Sequence, residues 1–307
     1  MPNDCGHIPV LPDQVCDILD PQNGDVIVDL TAGRGGHAEL LAKRAGEDAT
    51  LILFDLDRTN LQYAQDRLAA SGIHVIAHHA SFITAAETLS SNNIQANCVL
   101  ADLGFSSNQM DTPNRGFSFG SDGPLDMRLD SSSGVTAADL VNSMSEKELA
   151  DIIYTLGEEP YSRRIAQKIV LEREEEPILN TARLAQLVRS AYGARARSSR
   201  LHPATRTFMA LRIAVNGELD ALDALLCDVE ASGRKVDNGG WLHPNAKIAV
   251  ISFHSLEDRR VKQSFVALEK NGLATRLTRK PIRASDEEHA QNPRSRPAKL
   301  RAVKLGS

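Results

Sequence analysis

Val26-Ile27-Val28-Asp29-Leu30-Thr31-Ala32-Gly33-Arg34-Gly35-Gly36-His37 decides the fold, because it reads in order as a short apolar strand, an acid, a glycine turn and a helix start. Glycines lack Cβ and tolerate positive φ, so the backbone of such a turn can approach a bound molecule closely. The helix that follows offers unpaired N–H groups at its positive end. Gly33-x-Gly35-x-x-Ala38 matches the dinucleotide fingerprint in form, and Asp55 stands about 20 residues further on, where a ribose-binding acid belongs. Asp29 weighs against a dinucleotide. It lies four residues before the first glycine, where a carboxylate would face a cationic group rather than a pyrophosphate.

S-adenosylmethionine fits that requirement, with an ammonium, a sulfonium and a ribose diol but no phosphate. Working outward, apolar runs recur at Val26–Asp29, Leu51–Phe54, His74–Ala77, Cys98–Ala101 and Ile248–Ser252, with helical segments between them. Such runs suit buried parallel strands, and their alternation with helices implies an α/β fold with a mainly parallel, doubly wound sheet. The first four arrive at the spacing of βα units. The fifth comes so late that a separate unit is expected between.

That insertion reads as helical. Thr136 resembles an N-cap before Leu140, Val141 and Met144, and Ser145-Glu146-Lys147-Glu148 makes a capping box. Gly157 is placed to end the second helix, Tyr161 to Arg173 is amphipathic, and Thr181 opens a third stripe through Leu184, Leu187 and Val188. Thr205 to Val229 reads as one long helix leading back to the sheet. The expected domains are 1–115 with 203–307 around the sheet, and an inserted substrate-recognition domain over 116–202.

The chain has 307 residues and a formal net charge of −5, so it is long enough for a large domain plus an insertion, and any basic surface must be local. Its four cysteines, Cys5, Cys16, Cys98 and Cys227, form no C-x-x-C pair, which argues against a zinc site and a disulfide framework and suits a reduced, cytoplasmic setting. No run approaches the roughly 20 apolar residues that span a bilayer. Between Arg189 and Arg212 every charged side chain is an arginine: Arg189, Arg195, Arg197, Arg200, Arg206 and Arg212. The stretch from Lys270 to Lys304 is also mostly basic. Each alone reads equally well as a solvated face; two together point to phosphate contacts.

Two further polar clusters directly follow strands. Ala101-Asp102-Leu103-Gly104-Phe105-Ser106-Ser107 lies at the carboxyl edge where ligands of open α/β sheets bind. Asp102 and Phe105 fill the first and fourth places of the tetrapeptide by which amino-group methyltransferases hold an exocyclic amine, with Leu103-Gly104 in place of two prolines. A helix N-cap by Asp102 or Ser106 is the plainer alternative. Ser252-Phe253-His254-Ser255-Leu256-Glu257-Asp258-Arg259 is the second cluster, and His202-Pro203-Ala204-Thr205-Arg206-Thr207 marks the return from the insertion. None has metal-ligand spacing, so no catalytic metal is expected.

Asp29-x-Thr31-x-Gly33-x-Gly35-Gly36-His37, Asp102-Leu103-Gly104-x-Ser106-Ser107-x-Gln109, Arg115-Gly116-Phe117-Ser118-Phe119, Gly123-Pro124-Leu125-Asp126-Met127-Arg128, His202 to Phe208, Ser252 to Arg259 and Asn292-Pro293-Arg294-Ser295-Arg296 together resemble the bacterial family that methylates N4 of a cytidine in small-subunit ribosomal RNA, methyltransferase H of the small subunit. The resemblance runs from His7 almost to the C-terminus. It implies a class I methyltransferase domain with a helical insertion, S-adenosylmethionine as methyl donor, and ribosomal RNA in an assembled or nearly assembled small subunit as partner, with no DNA and no membrane. Carried over by position, the donor site falls on Gly35, Gly36, His37, Asp55, Phe82, Asp102 and Gln109. Asp55 would hold the ribose hydroxyls and Phe82 would lie against the adenine. Asp102 is the expected catalytic acceptor, and Arg128, His202, Arg206, His254 and Arg259 the expected RNA contacts. The family usually has a branched aliphatic residue where this chain has Phe105. A small-molecule methyltransferase, or a ribosome-assembly protein without turnover, would share the fold but not the need for both the arginines and an intact donor motif.

Overall fold

The computed structural model describes residues 8–197, 201–235 and 240–306, apart from the Arg197 side chain. Cys5, His7 and Arg200 lie outside the described residues. Two compact units emerge, one made of Met1–Gly104 with Leu219–Ser307, the other of Phe105–Glu218.

The first unit begins α1 (Pro12–Leu19), β1 (Val26–Asp29), α2 (Gly36–Ala45), β2 (Thr50–Asp55), α3 (Arg58–Ala70), β3 (Val75–His79), α4 (Ala85–Ser91), β4 (Ala96–Asp102). The second holds α5 (Ser107–Asp111), α6 (Ala137–Ser143), α7 (Glu146–Thr155), α8 (Ser162–Glu175), α9 (Thr181–Tyr192) and α10 (Ala204–Asn216). The chain then returns through α11 (Glu218–Arg234), β5 (Leu242–Ser252), α12 (Ser255–Lys270), β6 (Ala274–Arg276), α13 (Asp286–Gln291) and β7 (Lys299–Leu305).

The strands form one seven-stranded sheet in the order β3-β2-β1-β4-β5-β7-β6. β1 to β5 pair in parallel, and β7 runs antiparallel between β5 and β6. Side chains alternate across the pleat, so the sheet is apolar on both faces. Val28, Ile52, Phe54, Val99 and Val250 pack one way, against Leu89 of α4, Leu222 and Val229 of α11, and Phe265 of α12. Ile27, Leu51, Leu53, Leu100 and Ile251 pack the other way, against Leu19 of α1, Leu41 of α2 and Leu68 of α3. Strand order reverses direction between β1 and β4, and the crevice beyond the carboxyl ends at such a point is where ligands bind in open α/β sheets.

Three expectations need correction. The helical unit runs from Phe105 to Glu218 rather than from 116 to 202, because Ala204, Phe208 and Leu211 of α10 belong to the core that α7, α8 and α9 share, and Phe105 stacks on Phe117 with centroids 5.0 Å apart. The segment from Thr205 to Val229 is two helices, broken at Gly217, whose φ of 58° is left-handed and costs an L side chain about 1–2 kcal/mol. The basic C-terminal stretch contains β6 and β7, the latter in the interior of the sheet. Arg301 is only 6% exposed, and its Nε donates to Asp258 Oδ1 at 2.7 Å, while Lys299 Nζ donates to Asp258 Oδ2 at 3.1 Å. Lys299 and Arg301 therefore serve the fold, whereas Arg279, Lys280 and Arg283 of the same stretch are exposed.

The helical unit carries its own core of Leu149, Ile153, Ile165, Ile169, Leu184 and Val188. Its helices start where the caps require. The Thr136 and Ser145 side chains accept from the N–H groups of Asp139 and Glu148, which return the bond in capping boxes. Asn180, not Thr181, caps α9.

Candidate active site

Five strands of the first unit end at the same sheet edge with a polar residue: β1 at Asp29, β2 at Asp55, β3 at His79, β4 at Asp102 and β5 at Ser252. Hydrogen bonds tie three of these ends to the glycine turn. Gly33 N donates to Asp55 Oδ2 at 2.7 Å, and Asp57 N donates to Asp55 Oδ1 at 2.7 Å. Thr31 N donates to Asp29 Oδ1 at 3.1 Å, and Asp102 N donates to Thr31 Oγ1 at 2.6 Å. Thr31 thus joins the ends of β1 and β4 at the switch point. The Arg34 guanidinium lies 4.3 Å from the Tyr63 ring centroid, which fastens the turn to α3.

Carboxyl groups at this edge hold their protons unusually firmly. Burial raises Asp29 to about 7 against hydrogen bonds from Thr31, with Asp55 adding repulsion. Burial also raises Asp55 to about 6. Asp102 is pushed up well beyond the ordinary carboxylate range by burial first and then by Asp29 and Glu257. Its Oδ1 is buried with no hydrogen-bond partner among the described residues. An orphaned buried acceptor costs about 1–3 kcal/mol, and a ligand that donates to it recovers that cost.

His37, the second residue of α2, is 6% exposed and places Nε2 3.7 Å from Asp102 Oδ2. Phe82 follows β3 in a short turn of 3₁₀ helix and packs half-buried against the core. His254 is the N-cap of α12, with Nε2 3.1 Å from Glu257 Oε1, while Glu257 Oε2 accepts from Phe253 N at 2.8 Å. Arg259 is exposed on α12. Gly35 has a φ of 76°, but a Cβ there would meet Ala64 Cβ at 3.2 Å and Leu68 Cδ1 at 3.5 Å on α3. The glycine is therefore demanded by helix packing; space for a ligand is not what a side chain there would take. Gly36 likewise faces the ring of Pro9 at 3.5 Å.

Within the helical unit lie the other expected residues. Gln109 is buried, and its Oε1 accepts from Ser106 N at 2.8 Å, so Ser106 is the N-cap of α5 and Asp102 is not a cap. Arg128 is held by Asp126 through Nε at 2.9 Å and Nη2 at 2.8 Å. His202 is exposed, stacks on Phe119 at 4.5 Å, and accepts from Ala204 N at 3.2 Å. Arg206 is half-buried and makes no hydrogen bond or ion pair among the described residues. Arg212 is neutralised by Glu218 through two bonds of 2.8 Å, with its guanidinium 4.8 Å from the Phe105 ring centroid. That ring already has Phe117 as its stacking partner. Sequence reasoning missed the bridging role of Thr31 and the pressure of Glu257 on Asp102, since each depends on strands that meet only in the sheet.

The MraW methylase family matches residues 4–305 of the chain. The ribosomal RNA small subunit methyltransferase H of Syntrophotalea carbinolica is 46% identical over 315 residues, covering 97% of each chain. That of Geotalea uraniireducens is 44% identical over 317 residues, covering 98% of this chain and 99% of its own. A solved rRNA methylase from Streptococcus thermophilus covers 98% of this chain and 100% of its own at 11% identity and a TM-score of 0.40, too distant to speak to any residue. With a match that leaves only the two chain ends uncovered, and relatives this similar along their whole length, the chain belongs to the MraW methylase family.

Proposed function

We propose that this protein transfers a methyl group from S-adenosylmethionine to the N4 amine of a cytidine in small-subunit ribosomal RNA. The observation that carries this reading is family membership across nearly the whole chain, joined to a strand edge whose buried acids suit that donor. Asp55 spends one bond of each oxygen on the backbone, which leaves acceptor capacity for two ribose hydroxyls. The orphaned Asp102 Oδ1 supplies a further acceptor. Phe82 offers an apolar face, and the main chain at Gly35, Gly36 and His37 opens α2 toward the ligand.

The bound donor supplies an electrophilic methyl on a cationic sulfur. The chain must then orient an amine whose lone pair is delocalised into the cytosine ring, and accept its hydrogens as it becomes pyramidal. Asp102 and the Leu103 carbonyl take that role, with the target base unstacked from the RNA. The sheet unit holds the donor, and the helical unit of Phe105–Glu218 reads the RNA in an assembled or nearly assembled small subunit in the cytoplasm. His202, Arg206, His254 and Arg259 contact the RNA. Arg128 shapes its own loop through Asp126 and reaches RNA only through the donors that pairing leaves.

The test incubates the protein with labelled donor and either naked small-subunit RNA or small subunits from cells lacking the modification, followed by nucleoside mass spectrometry. N4-methylcytidine is expected from the subunits. Label in no nucleoside, with transfer to a small molecule instead, would overturn the reading.

A further inference from the structure

We infer that His37 and Asp102 work as a pair, in which the carboxylate takes the proton leaving the N4 amine and the imidazole takes it on in turn. This rests on the methyl-transfer reading above. His37 Nε2 lies 3.7 Å from Asp102 Oδ2, and His37 is 6% exposed. A gap of that size closes by a small side-chain rotation, and catalytic hydrogen bonds commonly tighten only in the loaded complex. The strand end does not drift, because Asp102 N is fixed to Thr31 Oγ1 at 2.6 Å.

The groups that act on Asp102 come from three elements. Asp29 at the end of β1 and Glu257 on α12 are acids that oppose its ionisation, and His37 on α2 is the base beside it. Neither acid is open to that proton: Asp29 already holds one of its own up to about 7, and Glu257 is engaged by Phe253 N and His254. The imidazole is suited to it.

Chemically the step needs such a holder. N4 gives its electron pair to the new N–C bond while the pair of the breaking C–S bond stays on sulfur, so N4 is left positive. Asp102, ionised beside the cationic donor, takes one N4 proton, which restores the neutral amine. Transfer from Asp102 Oδ2 to His37 Nε2 returns the carboxylate to its ionised form. Since His37 acts through Asp102, it is a positioning residue, distinct from any contribution of its main chain to donor binding.

Two measurements test the pair. The first follows the His37 imidazole by NMR in donor-free protein with labelled histidine, across a titration centred on the ordinary histidine value of about 6.5. Asp102→Asn is expected to move the His37 midpoint, and an identical midpoint in both proteins would overturn the pairing. The second is single-turnover methyl transfer to small subunits with donor and RNA saturating. His37→Gln and His37→Asn are expected to slow it about 10- to 100-fold and to displace the acidic limb of the pH–rate profile, with donor Kd changed less than about threefold. A wild-type rate and profile in either folded variant would overturn the inference. If the wild-type protein itself transfers no methyl group, the functional reading fails, while the NMR titration still decides the pair.

Discussion

Asp29 carries a cost that a pH titration of stability can expose. Its carboxyl sits at about 7 in the folded protein against an ordinary 3.8, so the native state keeps a proton that the unfolded state gives up. Below 3.8 the two states are alike. As pH rises toward 7 the native state loses stability relative to the unfolded one, by up to about 4 kcal/mol for this group alone. Asp29→Asn, which retains an acceptor for Thr31 N, is therefore expected to be more stable than wild type at pH 8 and equal to it near pH 4, as read by denaturant unfolding. The same raised carboxyls make donor binding tighten with pH: a cationic ligand favours the ionised forms, so calorimetric affinity should rise through the range of Asp55 at about 6 and Asp29 at about 7. A flat profile would show that neither acid meets the donor. Gly35→Val is expected to act first on packing. With a positive φ and Ala64 Cβ at 3.2 Å, the change should destabilise the fold by about 1–3 kcal/mol, beyond any effect on donor binding. The acids were legible in the sequence because each closes an apolar run. The direction of the missing Gly35 Cβ was not, since it depends on where α3 passes.

At the scale of elements, strands buried on both faces announce themselves as continuous apolar runs, and β1, β2, β4 and β5 were readable for that reason. β7 was hidden. Lys299, Arg301 and Lys304 alternate with Leu300, Ala302 and Val303 in a way that looks solvated, until Asp258 of α12 supplies the partner that lets Arg301 be buried. Asp258→Asn should thus cost about 1–3 kcal/mol, measured by urea unfolding, by leaving Arg301 with a weaker acceptor. If stability is unchanged, the basic stretch is a solvated surface after all. The break between α10 and α11 was equally hidden, because one glycine in a helical pattern is tolerated and the apolar stripe continues across it. Caps were the most readable feature of the helical unit: Thr136 and Ser145 each bring the acid three residues on that a capping box needs.

For the whole molecule, a net charge of −5 means that RNA must be met by local cations that the fold has not already neutralised. Arg128, Arg212, Arg276 and Arg301 are paired with acids. Arg279, Lys280, Arg283 and Arg296 are exposed. Replacing Arg279, Lys280 and Arg283 by alanine should weaken RNA binding and flatten its salt dependence by about 2–3 in slope, because each lost phosphate contact releases fewer counterions. An unchanged slope would assign these residues to a solvated face and leave the arginines of the helical unit as the RNA contacts.

On the function proposed above, Asp102 stands where donor and base react. Single-turnover methyl transfer to small subunits, with donor and RNA both saturating, tests it by comparing Asp102→Asn with Asp55→Ala. Asp55→Ala is expected to weaken donor binding by about 1–3 kcal/mol and to recover most of its rate at saturation. Asp102→Asn should stay about 100-fold or more below wild type at saturating donor, with RNA affinity nearly untouched, since the charge it removes is needed more by the transition state than by the bound ground state. Wild-type turnover by Asp102→Asn would remove Asp102 from the chemistry and move the catalytic centre to the cluster from Ser252 to Arg259.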